Sequence, residues 1–432
     1  MAEVAAGLVV AEEVVSTTVQ AGAATYAVAK PTMPLKATFT QIAAAKDEET
    51  RQALTRSDHS VTIIKDKAYI FGGVTTDGEL ASNEIHSVDF SSNETPSSAE
   101  YILLPAVPDI KDQPVPSART KHAACHFNVC LAVFGGQDTS GALVDQDPVI
   151  WLYVTGKSAW ETIRSQDSSV APVQRYGASL FNASNNLVLY GGFDKDDQPL
   201  KDVWHFSYTS RSWTPLPSAP VDTSNAAYSD GSLYLISSAD TMSSEVHALD
   251  ISNPEKPGSW TTTTFPTNPL APGPRPRVGG GLLPISTGYG RNYLLYFFGA
   301  RQNPATNETS DPEETSAPTQ WSDAWTYQAP STKPAVRPTR SISEALKPSA
   351  IKDAIREKLG YDSGEKSWCE VEVKLPEILG EGDGQGKIHP GPRMHFGCDF
   401  VGNEVAGAKV VIWGGVNAKG DREGDGWVIS LE

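Results

Sequence analysis

Five arginines stand at matching places along the chain: Arg56, Arg119, Arg175, Arg277 and Arg393. A guanidinium group binds carboxylate or phosphate through two parallel hydrogen bonds. Arginines brought into a ring could therefore hold an acidic peptide or a small anion. The same groups could instead satisfy loop carbonyls and carboxylates inside the fold. Three histidines, His59, His122 and His395, follow three of these arginines by two or three residues. Three converging imidazoles can bind a metal ion, while imidazoles lying apart would be held by neighbouring loops. The choice depends on the elements that carry these residues.

Those elements repeat. Ile70-Phe71-Gly72-Gly73, Val133-Phe134-Gly135-Gly136, Leu189-Tyr190-Gly191-Gly192 and Ile412-Trp413-Gly414-Gly415 are clear copies of one phrase. Phe297-Phe298-Gly299-Ala300 is a near copy and Leu235-Ile236-Ser237-Ser238 an eroded one. Each copy follows its arginine, with Ser224 in that place in the fourth. After each comes a polar loop, then a strand such as Asp202-Val203-Trp204-His205-Phe206. A further strand carries an aromatic at Tyr101, Trp160, Trp213, Trp260 or Trp368. Short β-rich runs bounded by Gly, Asp, Asn and Pro predict antiparallel strands. Four strands per unit, repeated about a centre, predict propeller blades. Paired glycines at a strand end mark a sharp turn or the close approach of another backbone.

The opening arginine, the doubled glycine and the Trp-bearing fourth strand resemble the Kelch family of β-propellers over residues 36–432. The resemblance implies an all-β, six-bladed propeller and implies little about activity. In such domains arginines near this place contact acidic ligands. The sixth copy reaches Leu431-Glu432 without a fourth strand, and Ala37-Thr38-Phe39-Thr40-Gln41-Ile42 reads like Ser212-Trp213-Thr214-Pro215-Leu216. The expectation is that residues 36–43 close the last blade from the other end of the chain, pairing an edge that would otherwise stay open.

Two regions depart from the frame. Residues 1–35 form an Ala/Val-rich extension, read as a short helix on the propeller or as a segment that orders on binding. Residues 331–366 interrupt the fifth blade with a basic, proline-rich run and then a segment capped by Ser349 and Gly360. Its Ile351, Ile355 and Leu359 share one helical face, so the insertion is expected to carry a short amphipathic helix for docking a partner.

Composition narrows the function. A formal net charge of −17 argues against nucleic acid or an anionic membrane as partner of the whole surface. No apolar segment is long enough to span a membrane. Glu3, Glu12 and Glu13 break the pattern of a secretory signal. The four cysteines lack metal-ligand or disulfide spacing. A monomer in the cytoplasm or nucleus is expected. No HExxH, P-loop, GxSxG or CxxC motif is present, so the expected role is an interaction scaffold for a protein partner, with no enzymatic activity and no cofactor. The alternative is a metal-dependent small-molecule lyase using Fe2+, since the chain also resembles nitrile-specifier Kelch proteins in length and blade frame. Their Glu, Asp and His iron triplet at four-residue spacing is not found. Glu377, Glu381, Asp383 and His389 are the nearest gathering.

Overall fold

In each repeat the alternation of apolar and polar residues puts one strand face on each neighbouring blade, and the Asn, Asp and Gly turns reverse the chain. The structure, a computed structural model, describes residues 34–42, 48–90, 101–238, 243–265, 273–286, 292–301, 320–330, 366–374, 387–401 and 407–432. These residues build six blades, and in the first five the strands pair antiparallel in chain order from the inside out. The first blade runs through Ser60–Ile64, Lys67–Phe71, Ile85–Asp89 and Tyr101–Leu104, and the next four follow the same order.

The sixth blade takes Gly397–Val401, Ala408–Trp413 and Gly426–Leu431 from the end of the chain and Lys36–Ile42 from its beginning. The closing strand is antiparallel to Gly426–Leu431, with Phe39 opposite Ile429 and Gln41 opposite Trp427. The expected closure is therefore present. One addition was not foreseen: Glu372–Val373, beyond the fifth blade's last strand, pairs in parallel with Lys36 and Ala37 and covers part of the outer edge.

The core is divided among the blade interfaces. Six buried clusters each join two neighbouring blades, the last joining the sixth to the first. The aromatic before the glycines meets the fourth-strand aromatic of the next blade: Phe71 lies 5.3 Å from Trp160, and Phe134 lies 6.0 Å from Trp213. At the seam Phe39 takes the tryptophan's place and stacks at 6.5 Å on Phe298. Such pairs add roughly 0.5–1.5 kcal/mol beyond area burial.

One expectation needs correction, and two lie outside the described residues. In the fifth blade the glycine pair is replaced by Phe298-Gly299, not by Gly299-Ala300. Phe298 has φ 53° and Gly299 φ 90°, as in the pairs of the other blades. An aromatic held at left-handed φ is costly, and burial of its whole side chain among Phe39, Phe396 and His389 offsets that cost. The helix seen is Glu48–Leu54, with acidic residues in its first turn and Leu54 buried between blades six and one. The expected helix bearing Ile351, Ile355 and Leu359, and residues 1–33, lie outside the described residues.

Candidate functional site

The arginines set the geometry. All five are no more than 2% exposed. Each donates from Nη1 to the backbone carbonyl of the first residue of its own blade's glycine pair: Arg56 to Gly72, Arg119 to Gly135, Arg175 to Gly191, Arg277 to Phe298 and Arg393 to Gly414, at 2.9–3.0 Å. Four also pair with a carboxylate that leads into the third strand: Arg119 with Asp145, Arg175 with Asp202, Arg277 with Asp323 and Arg393 with Asp425, at 2.6–2.9 Å. A tryptophan Nε1–H donates to the same aspartate, as Trp204 does to Asp202 at 2.7 Å. Burial pushes the Asp202 and Asp425 carboxyls up, but hydrogen bonds and charge from their arginines outweigh it and hold both below the usual carboxylate range.

Each arginine also joins its blade to the one before. The backbone carbonyls of four accept from the preceding blade's second glycine, Gly73 to Arg119, Gly136 to Arg175, Gly299 to Arg393 and Gly415 to Arg56, at 2.9–3.0 Å, and that of Arg277 accepts from Asn225 Nδ2 of the fourth blade at 3.0 Å. A Cβ on Gly135 would stand 2.2 Å from the Arg175 carbonyl oxygen. The doubled glycine is thus the space into which the next blade's arginine backbone fits. All five guanidinium groups are buried and turned inward, four of them paired with a carboxylate of their own blade, so they do not form an exposed anion-binding ring.

Replacing Asp202 by Ala leaves the Arg175 guanidinium buried without its counter-charge and should cost about 3 kcal/mol. Asp196→Ala, at an exposed position, should stay within about 0.5 kcal/mol of the parent. Urea unfolding measures both, and an equal effect of the two changes would contradict the clasp.

Arg56 is the exception. Glu84 stands where other blades have the aspartate, yet its carboxylate accepts from Ser82. Arg56 Nη2 instead meets His86 Nε2 at 2.7 Å and the Ala53 carbonyl. A guanidinium only donates, so Nε2 of His86 is the acceptor and its Nδ1–H donates to the Tyr101 hydroxyl at 2.9 Å. Burial lowers Arg56 to about 10, and burial together with the Arg56 charge lowers His86 to about 3.

The three histidines do not converge. His59 and His122 each lie three residues after their arginine and plug the contact to the preceding blade, beside Gly414 and Gly72 respectively. Burial, then the charge of Arg56 or Arg119, lowers both to about 3. His395 lies two residues after its arginine, and Phe396 fills the place equivalent to His59. That one-residue offset sends His395 to a different ring. Among the described residues no group of three His, Cys, Asp or Glu side chains is placed to hold a metal. His389 packs on Phe39, whereas Glu377, Glu381 and Asp383 lie outside the described residues.

The ring that His395 joins surrounds the channel mouth. Asp58, Lys121, Gly177, Gly279 and His395 are equivalent residues, all at left-handed φ between 50° and 64°. Their backbones link blade to blade: Asp58 N–H donates to His395 O, Lys121 to Asp58, Gly177 to Lys121 and His395 to Gly279, at 2.7–3.1 Å. Asp58 Oδ1 lies 3.0 Å from His395 Nδ1. Burial pushes the Asp58 carboxyl up, and the His395 hydrogen bond and charge reverse this and hold it low. Lys121 is exposed, with its Nζ 5.5 Å from the centre of the Tyr176 ring. Sequence reasoning singled out His395 but missed Asp58, Lys121 and Tyr176. Their position two residues, or one, after an opening arginine was the available signal.

A family model for the KLHDC2/KLHL20/DRC7 Kelch-repeats domain matches residues 58–282. The chain is 28% identical over 164 residues to Kelch domain-containing protein 2 of Bos taurus, covering 35% of this chain and 39% of that protein. It is 33% identical over 165 residues to the dynein alpha chain of the flagellar outer arm of Chlamydomonas reinhardtii, covering 37% of this chain and 3% of the other. It is 26% identical over 140 residues to the N-(sulfonatooxy)prop-2-enimidothioate sulfolyase of Thlaspi arvense, covering 32% and 36%. Each match spans well under half of the relative's length. The solved structure of YjhT aligns with a TM-score of 0.52 at 14% identity, over 88% of this chain and 97% of that one, a likeness of fold.

Proposed function

Since this chain belongs to the Kelch-repeat family of β-propellers, a family of interaction scaffolds in general, we propose that it binds a protein partner across the channel mouth, in the cytoplasm or nucleus. One observation carries this reading. Three successive blades hold polar side chains, His395, Asp58 and Lys121, at left-handed φ, where the third and fifth blades use Gly177 and Gly279. Glycine is the unstrained choice there. Strained backbone at non-glycine residues around an opening points to function rather than folding. The buried arginine clasps hold the loops that carry these groups, so the face is preorganised for a partner.

Photo-cross-linking tests this. A photoreactive residue at Lys121 should capture a partner in the source cells. The same group at Lys157, in the turn between the third and fourth strands at the other end of its blade, should not. Equal capture from both positions, or none from Lys121, would overturn the reading.

The similarity to the Thlaspi arvense sulfolyase supports a second reading, a metal-dependent lyase acting on a small molecule with Fe2+. Elemental analysis of the purified protein separates the two: one iron per chain favours the lyase, and iron far below that ratio favours the scaffold.

A further inference from the structure

The third blade differs from the others beside the mouth. Tyr176 and Phe193 face each other across a short bridge, exchanging backbone hydrogen bonds of 3.1 and 2.8 Å. Their rings stack at 5.3 Å with 20° between planes. The equivalent pairs are Ser57 with Val74, Thr120 with Gln137, Val278 with Ala300 and Met394 with Val416. Only the third blade, among the described residues, puts two aromatic rings here, and Phe193 is 37% exposed. An exposed ring stacked on a half-buried one at a rigid rim forms a platform of the kind that anchors interfaces.

The charge around the platform defines what it accepts. The hairpin after Phe193 carries Asp194, Asp196 and Asp197, with Lys195 paired to Asp196 at 3.0 Å. Asp197 accepts from the Tyr176 hydroxyl at 2.7 Å. Backbone amides of Gln198 and Asp196 hold the Asp194 carboxyl low, hence ionised. The hairpin of the first blade, at the same rim, adds exposed Asp77 and Glu79. A cation already sits on this platform, the chain's own Lys121 over Tyr176. A ring face that attracts one ammonium attracts a guanidinium more strongly, since the planar group also stacks.

We infer that the Tyr176–Phe193 pair is the seat for a basic, arginine-bearing segment of a protein partner, its guanidinium lying on the rings and pairing with Asp196 or Asp197. This rests on the scaffold reading and adds the partner's chemistry. It also reverses the sign of charge that the arginines would have implied, because those arginines are spent inside the blades and the acids remain outside.

The test uses the full chain and two labelled peptides of equal length, one alternating arginine with glycine and one alternating glutamate with glycine, read by fluorescence anisotropy. The arginine peptide should bind and the glutamate peptide should not. Phe193→Ala should weaken binding by about tenfold without moving the melting temperature, and Asp196→Asn with Asp197→Asn should weaken it and flatten its salt dependence. Diffuse attraction to a protein of charge −17 would survive Phe193→Ala, and that result would overturn the inference. So would tighter binding of the glutamate peptide, which would leave the scaffold reading standing. Failure of Lys121 cross-linking would sink the scaffold reading and leave the peptide result intact.

Discussion

Removal of residues 34–42 unfolds the propeller instead of trimming it. The strand Lys36–Ile42 is paired along its length with Gly426–Leu431, and Lys36 and Glu432 exchange backbone hydrogen bonds at 2.9 and 3.1 Å. Leu35 and Ala37 belong to the buried cluster between the fifth and sixth blades, with Phe39 packed against it. Burial of a large apolar side chain contributes roughly 1.5–3 kcal/mol. Two such side chains together with a lost ladder come to about 5–8 kcal/mol, against a typical total of about 5–15 kcal/mol for a domain. The truncated chain should lose its cooperative thermal transition. A truncated protein that melts like the full chain would show that the sixth blade does not need this strand.

Acid should be nearly as damaging, and well above the range where carboxylates titrate. His59, His86 and His122 are each lowered to about 3, by burial first and then by the charge of Arg56 or Arg119. The folded state therefore binds fewer protons than the unfolded chain, whose histidines titrate near 6.5. Their contribution is fully present above pH 6.5 and is lost as pH falls toward 3. At pH 5 each histidine has forfeited roughly 2 kcal/mol, about 6 kcal/mol in all. Asp399 runs the other way. It is raised to about 6 by burial, against amide hydrogen bonds from Ile63 and Phe400, so it restores about 1 kcal/mol over the same interval. The net loss of about 5 kcal/mol should appear as a steep fall in urea midpoint between pH 7 and pH 5. His86→Gln should flatten that dependence by about a third. A midpoint unchanged at pH 5 would contradict the enclosure of these imidazoles.

The blade count and the seam were legible because both rest on periodic signals: the glycine pair, the fourth-strand aromatic and a missing last strand matched by Phe39. The arginine clasp was half legible. Asp precedes Val-Trp, Ala-Trp and Gly-Trp at Asp202, Asp323 and Asp425, so a carboxylate accompanies the arginine in each of those blades. In the second blade Asp145 stands six residues before Trp151, which hid the same partnership. Phe298 was misread because a glycine doublet is sought as letters, whereas the first, second, third and sixth blades share with the fifth a pair of left-handed φ values that an aromatic can occupy when its side chain is fully buried. His395 was grouped with His59 and His122 by spacing, and one residue of offset separates a plug between blades from a residue at the mouth. The mouth itself was illegible for a similar reason: Asp58 and Lys121 look ordinary until the backbone ring places them side by side.

Hydrogen exchange read by mass spectrometry at the seam tests the closed wheel most directly. If the two ends of the chain are one blade, amides of Lys36–Ile42 will exchange as slowly as those of Gly426–Leu431, both through global unfolding, and the two will lose protection together as urea is added. Rapid exchange in Lys36–Ile42 while Gly426–Leu431 stays protected would mean that the wheel is held shut without its first strand.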